Sequence, residues 1–156
     1  MDSLPEDLKN HVTLFRKVED FQKLDNISKN IKSITIFGGG FLGSELACGL
    51  GHRGRQEGAN LEVYPYHNMT NSLFNFTRIN KVVQAFQETG NMGKVLPDYL
   101  SEWTTDKVRS EGVTVLPNSR VKTVTKGDKS NLSVKMESGA TVETDHMVVA
   151  VGCDVY

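Results

Sequence analysis

Apolar and polar residues follow two different periods along this chain, and the points where the period changes outline a fold. From Ile31 to Phe37 the β-branched residues Ile34, Thr35 and Ile36 make a short apolar run ending at glycine, the pattern of a buried parallel strand. Beyond Gly40 the period lengthens. Leu42, Leu46, Ala47 and Leu50 recur at helical spacing until Gly51, Gly54 and Gly58 interrupt them, which predicts a helix ending near Arg53. Asn60 to Tyr64 and Lys81 to Phe86 each read as a strand. Pro65 to Asn80, rich in Asn, Thr and Phe and without a period, reads as an inserted loop between them. After Pro97 at an N1-like position, Leu100, Trp103 and Val108 predict a second helix over Leu96 to Glu111, closed by Gly112. Val113 to Leu116, Arg120 to Thr125 and Leu132 to Met136 predict a three-stranded meander punctuated by turn residues. His146 to Val151 predicts a last strand ending at Gly152. Residues 1–30 are polar, mixed in charge and only weakly helical through Phe21, Leu24 and Ile27, and read as a connector.

The pattern therefore predicts an α/β domain over residues 31–156, a parallel sheet with a β-meander and an irregular insertion over about residues 64–83. Composition agrees with one domain: 156 residues, 38% hydrophobic and 24% charged, bury a core of ordinary size. A formal net charge of -1 gives no field for polyanions, so nucleic-acid binding finds no support. No apolar run approaches the roughly 20 residues that span a bilayer, and the first ten residues resemble neither a secretory signal nor a transit peptide.

The candidate chemistry lies where strand gives way to helix. Gly38-Gly39-Gly40-Phe41-Leu42-Gly43 satisfies G-x-G-x-x-G directly after a predicted strand and at the opening of a predicted helix. In that context Gly38 lets the chain turn sharply, Gly40 leaves room for a pyrophosphate to approach the backbone, and Gly43 lets the helix pack close to the sheet. The orphan amides at the helix start then face the phosphates, and the helix dipole adds a favourable field. A glycine-rich turn without a ligand is the alternative. In the simplest form of such sites an acid about 20 residues on holds the adenosine ribose. Glu62 stands 19 residues after Gly43 but early in its strand, where a solvated role suits it better; Glu88 follows only after the insertion. An acid here favours NAD(H) over its 2'-phosphorylated form, because carboxylate and phosphate repel.

Lys32 through Cys48 resembles the NAD-binding segment of the mitochondrial apoptosis-inducing factor family of flavoproteins. The likeness continues in Gly90-Asn91-Met92-Gly93-Lys94-Val95-Leu96-Pro97, in Tyr99-Leu100-Ser101-Glu102-Trp103, in Val142-Glu143-Thr144-Asp145-His146 and in Ala150-Val151-Gly152, with Leu14-Phe15-Arg16-Lys17 upstream. The family is related to the pyridine-nucleotide disulphide reductases. The resemblance implies hydride transfer from NADH to FAD, with electrons passed to an acceptor. It implies an NAD site at Gly39, Gly40, Phe41 and Leu42, with Glu88 at the ribose, Lys94 in the following loop and Gly152 near the nicotinamide. Arg16 matches a residue that contacts FAD, so residues 1–30 would connect to a flavin-binding domain. The family also implies a homodimer and a mitochondrial address in the intermembrane space, with the nucleus as a second compartment.

Two departures qualify the likeness. Some 20 residues interrupt the second strand of the NAD domain. Either Leu61 to Val63 pairs beside the first strand, or Val82 to Phe86 takes that place. Moreover, nothing here supplies a FAD fingerprint or a C-terminal domain, so the chain is expected to act as the NADH platform of a longer parent or a short isoform and to retain no FAD alone. A non-catalytic interaction module is the rival reading. A stand-alone dehydrogenase is disfavoured, since the meander replaces further βαβ units.

Other residues carry less. Asn68, Asn75 and Asn131 begin glycosylation patterns by coincidence. His11, His52, His67 and His146 lack metal spacing and read as surface or satisfied residues; Cys48 and Trp103 read as core; Cys153 has no neighbour that would activate it. No catalytic or metal-binding residue is expected.

Overall fold

The computed structural model describes residues 5–56, 79–128 and 131–151. Its centre is a five-stranded parallel sheet in the order β1-β8-β2-β3-β4, built from β1 (Val12–Leu14), β2 (Ser33–Phe37), β3 (Lys81–Ala85), β4 (Val113–Leu116) and β8 (His146–Val149). The alternation of strand side chains divides the core. Ile34, Ile36, Val82, Phe86, Val113, Val115 and Val148 face one way and pack on Leu24 of α2 (Val18–Ser28), Ala47 and Leu50 of α3 (Phe41–Gln56) and Val108 of α4 (Asp98–Ser110). Phe37, Val83, Ala85 and Met147 face the other way. They pack on Leu8 of the short helix α1 (Glu6–Lys9) and on Leu132, Val134, Met136 and Val142. These last four belong to an antiparallel sheet of β5 (Val121–Lys126), β6 (Leu132–Met136) and β7 (Thr141–Thr144) that covers the second face.

The fold class is as the sequence predicts, with several local differences. Val113–Leu116 does not open the meander. It extends the parallel sheet beside β3, and the antiparallel sheet gains Thr141–Thr144 instead. Lys81–Ala85 is a strand, as its pattern predicts, and pairs in register with Ser33–Phe37, so the later of the two candidate segments stands beside the first strand. Leu61 to Val63 and most of the insertion lie outside the described residues, as do His67, Asn68, Asn75, Gly152 and Cys153. Within the nominal connector, Val12–Leu14 pairs with Met147–Val149 as the edge of the sheet.

On α4 the buried face is Ser101, Thr105 and Val108, whereas Trp103 is 60% exposed and lies under the Lys107 ammonium, 5.4 Å from the ring centre. The expectation that Trp103 is core is therefore incorrect. Small polar residues fill the helix–sheet interface, and the large apolar ones point outward. Cys48 packs half-buried against the helix-side core, where burial raises its thiol pKa, with the Glu111 charge adding to the effect. His146 is buried at the start of β8, with its Nε2 2.9 Å from Thr13 Oγ1 on β1.

Candidate functional site

All five strands of the main sheet run the same way, so the loops after them share one edge. From β2 the chain steps outward to β3 and β4, and it returns by β8 on the opposite side of β2. The crevice where direction reverses is the usual ligand position in open α/β sheets. Here it is filled by Gly38 to Gly43.

Three of the glycines have reasons inside the protein. Gly38 has φ +133, a conformation that L side chains rarely adopt, and a Cβ there would run into the Ala150 carbonyl after β8. A Cβ on Gly39 would lie 2.5 Å from Cγ of the Phe86 ring, and one on Gly43 would collide with the Gly38 carbonyl. The turn is thus wedged between β8, the end of β3 and its own helix. Gly40 differs. A Cβ there meets nothing within 4 Å, and its φ lies outside the left-handed range. Neither strain nor packing requires glycine at this position.

Ser44 N–H donates the first helical bond of α3 to the Gly40 carbonyl at 3.0 Å. By helix geometry the amides from Gly40 to Gly43 then have no partner within the helix. No acidic residue occupies the first turn of α3. The contrast with α2 is informative: there Asp20 accepts from the Arg16 and Lys17 N–H groups at 2.8 Å each. Those bonds, that of Arg16 foremost, lower its carboxyl pKa. The positive end of α2 is neutralised from within, whereas α3 presents its amides beside the side-chain-free Gly40. Phe41 and Leu42 stand exposed on the first turn, 57% and 39% respectively.

Glu88 follows β3 at the same edge, with its backbone carbonyl held by Asn118 N–H at 2.9 Å. Its half-buried carboxylate lies 3.2 Å from the well-exposed Lys94 ammonium. The structure therefore brings Gly38 to Gly43, Glu88 and Lys94 to one edge. Arg16 is exposed at that edge too, beyond β1 and two strands from β2. A hollow of about 280 Å³ between α2 and α3 is lined chiefly by Phe15, Phe21, Leu24, Leu42, Leu46 and Leu50, and the Asp25 and Glu45 carboxylates in its wall would repel a phosphate.

Sequence reasoning did not assign the buried polar side chains behind the turn, chiefly Ser44, Gln84 and Asn91. The one available signal was Gln84, a carboxamide inside the run Val82-Val83-Gln84-Ala85-Phe86. A buried amide needs partners, and those partners had to lie at a tertiary contact.

Comparison with known proteins agrees with this fold. Residues 2–155 match the pyridine nucleotide-disulphide oxidoreductase family. Over 149 residues the chain is 38% identical to a Drosophila melanogaster protein named for mitochondrial apoptosis-inducing factor 1, covering 96% of this chain and 17% of that protein. Over 143 residues it is 36% identical to apoptosis-inducing factor 1, mitochondrial, of Dictyostelium discoideum, covering 90% and 23% respectively. The chain thus spans about a fifth of the length of these relatives. Among solved structures, a water-forming NADH oxidase from Lactobacillus brevis bound to NADH shares the fold with a TM-score of 0.69 at 20% identity. That match covers 91% of this chain and 26% of the oxidase.

Proposed function

The chain belongs to the pyridine nucleotide-disulphide oxidoreductases, and from that premise we propose that residues 31–156 form the NADH-binding unit of an FAD-dependent NADH:acceptor oxidoreductase of the apoptosis-inducing-factor type. The observation that carries this reading is Gly40, a glycine that neither strain nor packing requires, beside amides at the start of α3 that have no partner within the helix. A pyrophosphate seated there would account for both. In this role the amides from Gly40 to Gly43 donate to the pyrophosphate, the α3 dipole favours its charge, and Gly38 and Gly39 hold the turn against Ala150 and Phe86. Glu88 accepts from the adenosine ribose hydroxyls and Lys94 holds the carboxylate in place. When bound, NADH supplies the hydride that a flavin accepts; the protein contributes position.

In the same reading Phe41 and Leu42 shield the cofactor from solvent, Gly152 approaches the nicotinamide end, and Arg16 reaches toward the flavin from the connecting residues 1–30. FAD itself would be held by other parts of a longer parent, because the described residues offer one glycine-rich βα turn. The names of the relatives make a mitochondrial address the natural proposal. A homodimer remains part of the proposal on family grounds.

Calorimetric titration of the full chain tests this. Saturable heat with NADH is expected, weaker heat with NADPH, and no flavin absorbance in the purified protein. Glu88→Ala is expected to weaken NADH binding about tenfold, the scale of a lost hydrogen bond to a charged group, and to remove the preference over NADPH. A chain that gives no heat with millimolar NADH would contradict the proposal and leave the interaction-module reading ahead.

A further inference from the structure

Behind the glycine turn lies a buried polar cluster that the cofactor site does not itself use. Gln84 occupies the helix-facing side of β3 and is fully buried; its Nε2 donates to the Gly38 carbonyl at 2.9 Å. Asn91, also fully buried, donates through Nδ2 to Gln84 Oε1 and to Ser44 Oγ, each at 2.8 Å. Its backbone N–H donates to Thr105 Oγ1 and its carbonyl accepts from Ser101 Oγ, again at 2.8 Å, which ties the residue to α4. Met92, next in sequence and left-handed at φ 57, donates its N–H to the Gly39 carbonyl at 2.6 Å. Two adjacent residues therefore reach both carbonyls at the bend of the turn, one through Gln84, as well as the first turns of α3 and α4.

This clamp has a geometric consequence. Glu88 and Lys94 flank the segment that Asn91 anchors, and Gly93 lies so close to Glu88 that an added Cβ would stand 3.2 Å from the Glu88 Cβ. The amides of the turn lie on the other side of the clamp. Asn91 retains a buried Oδ1 with no hydrogen-bond partner among the described residues, an unfavourable feature for a residue that served only to fill space. Filling space would not require a carboxamide; Asn91 Nδ2 reaches Gln84 Oε1 and Ser44 Oγ at 2.8 Å each, reinforcing the longer direct bond of 3.4 Å from Gln84 Nε2 to Ser44 Oγ.

We propose that Asn91 is a positioning residue that fixes the distance between the Gly40 to Gly43 amides and Glu88, and thereby sets the preference for NADH over NADPH without touching either. The proposal rests on the NADH-site reading above. A carboxylate excludes a 2'-phosphate only if it stays at the ribose while the pyrophosphate is seated on the turn. Once the clamp is loosened, Glu88 can withdraw, so NADH loses an acceptor and NADPH loses a repulsion.

The test is titration of the full chain with NADH and with NADPH, for the wild type, Asn91→Ala, Ser44→Ala and Glu88→Ala with and without Asn91→Ala. Asn91→Ala is expected to weaken NADH about tenfold and NADPH less than about twofold, so that the preference shrinks; contacting members of one network couple on this scale. Ser44→Ala removes one Nδ2 acceptor while keeping a good helix former. It should shift the preference in the same direction by a smaller factor, and it decides the matter alone if Asn91→Ala loses its cooperative thermal transition. In the Glu88→Ala background, Asn91→Ala should leave the NADH-to-NADPH ratio unchanged. Equal losses for both cofactors, or an unchanged preference in Ser44→Ala, would overturn the role given to Asn91 while leaving the NADH site intact. A wild-type chain that binds neither cofactor would overturn both.

Discussion

Gly40→Val is expected to cost at least about a hundredfold in NADH affinity, about 2.7 kcal/mol, while the fold survives. The two halves of this result have separate physical causes. The added side chain meets no protein atom within 4 Å at its Cβ and requires no strained φ. Its cost to the protein is that of a poorer residue at the start of α3, about 1 kcal/mol at most. A phosphate held by the Gly40 to Gly43 amides would, however, have to share that space with two methyl groups. Gly43→Ala provides the contrast. Its methyl would be driven into the Gly38 carbonyl, so thermal stability should fall sharply along with binding. Measuring affinity by calorimetry and stability by thermal unfolding on both variants separates a ligand-imposed glycine from a packing-imposed one. A Gly40→Val protein with unchanged NADH affinity would mean that the pyrophosphate does not sit on the turn.

Acid is expected to remove about 3 kcal/mol of stability through His146 alone as the pH falls from about 6.5 to about 4. Burial lowers this imidazole from 6.5 to about 4, and the charges of His11 and Lys23 add to the effect. The sign follows from where the proton goes first. Between these two values the unfolded chain binds a proton that the folded chain refuses, so stability present at neutral pH is lost as the pH drops. Thr13 Oγ1, 2.9 Å from Nε2, satisfies the neutral ring and joins the edge strand β1 to β8. Urea unfolding at a series of pH values checks this, with His146→Gln as reference. The difference in slope between the two proteins over this window should carry the His146 contribution, and equal slopes would contradict it.

Legibility from sequence followed the range of the interactions involved. The strand from Ser33, the glycine turn and α3 were readable because a β-branched run, three spaced glycines and a helical repeat all act within about 20 residues. Sheet order was not. Val113–Leu116 alternates in the same way whether it joins a meander or a parallel sheet, and only the partner beside it, Val82–Ala85, decides. Lys81 to Phe86 was readable as a strand, but its place beside Ser33–Phe37, in preference to Leu61 to Val63, is decided only by the pairing itself.

On α4 the apolar period of Leu100, Trp103 and Val108 suggested a buried face containing Trp103. The actual contact is made by Ser101 and Thr105, whose hydroxyls serve Asn91. Polar residues that satisfy one another in a core look like surface residues in a one-dimensional pattern. That is why Ser44, Gln84 and Asn91 escaped notice although they stand directly behind the turn. The turn, Glu88 and Lys94 could be named as candidates from the sequence, but the buried network behind the turn could not.

Whether NADH sits on the glycine turn is read most directly from a titration of the isotope-labelled full chain with NADH, followed through its backbone amide resonances. The amides of Gly40, Phe41, Leu42 and Gly43 are expected to shift together with those of Glu88 to Lys94, saturating at one affinity, while those of α2 stay in place. Shifts confined to the apolar hollow around Phe21, Leu24 and Leu46, with the glycine turn unmoved, would contradict it.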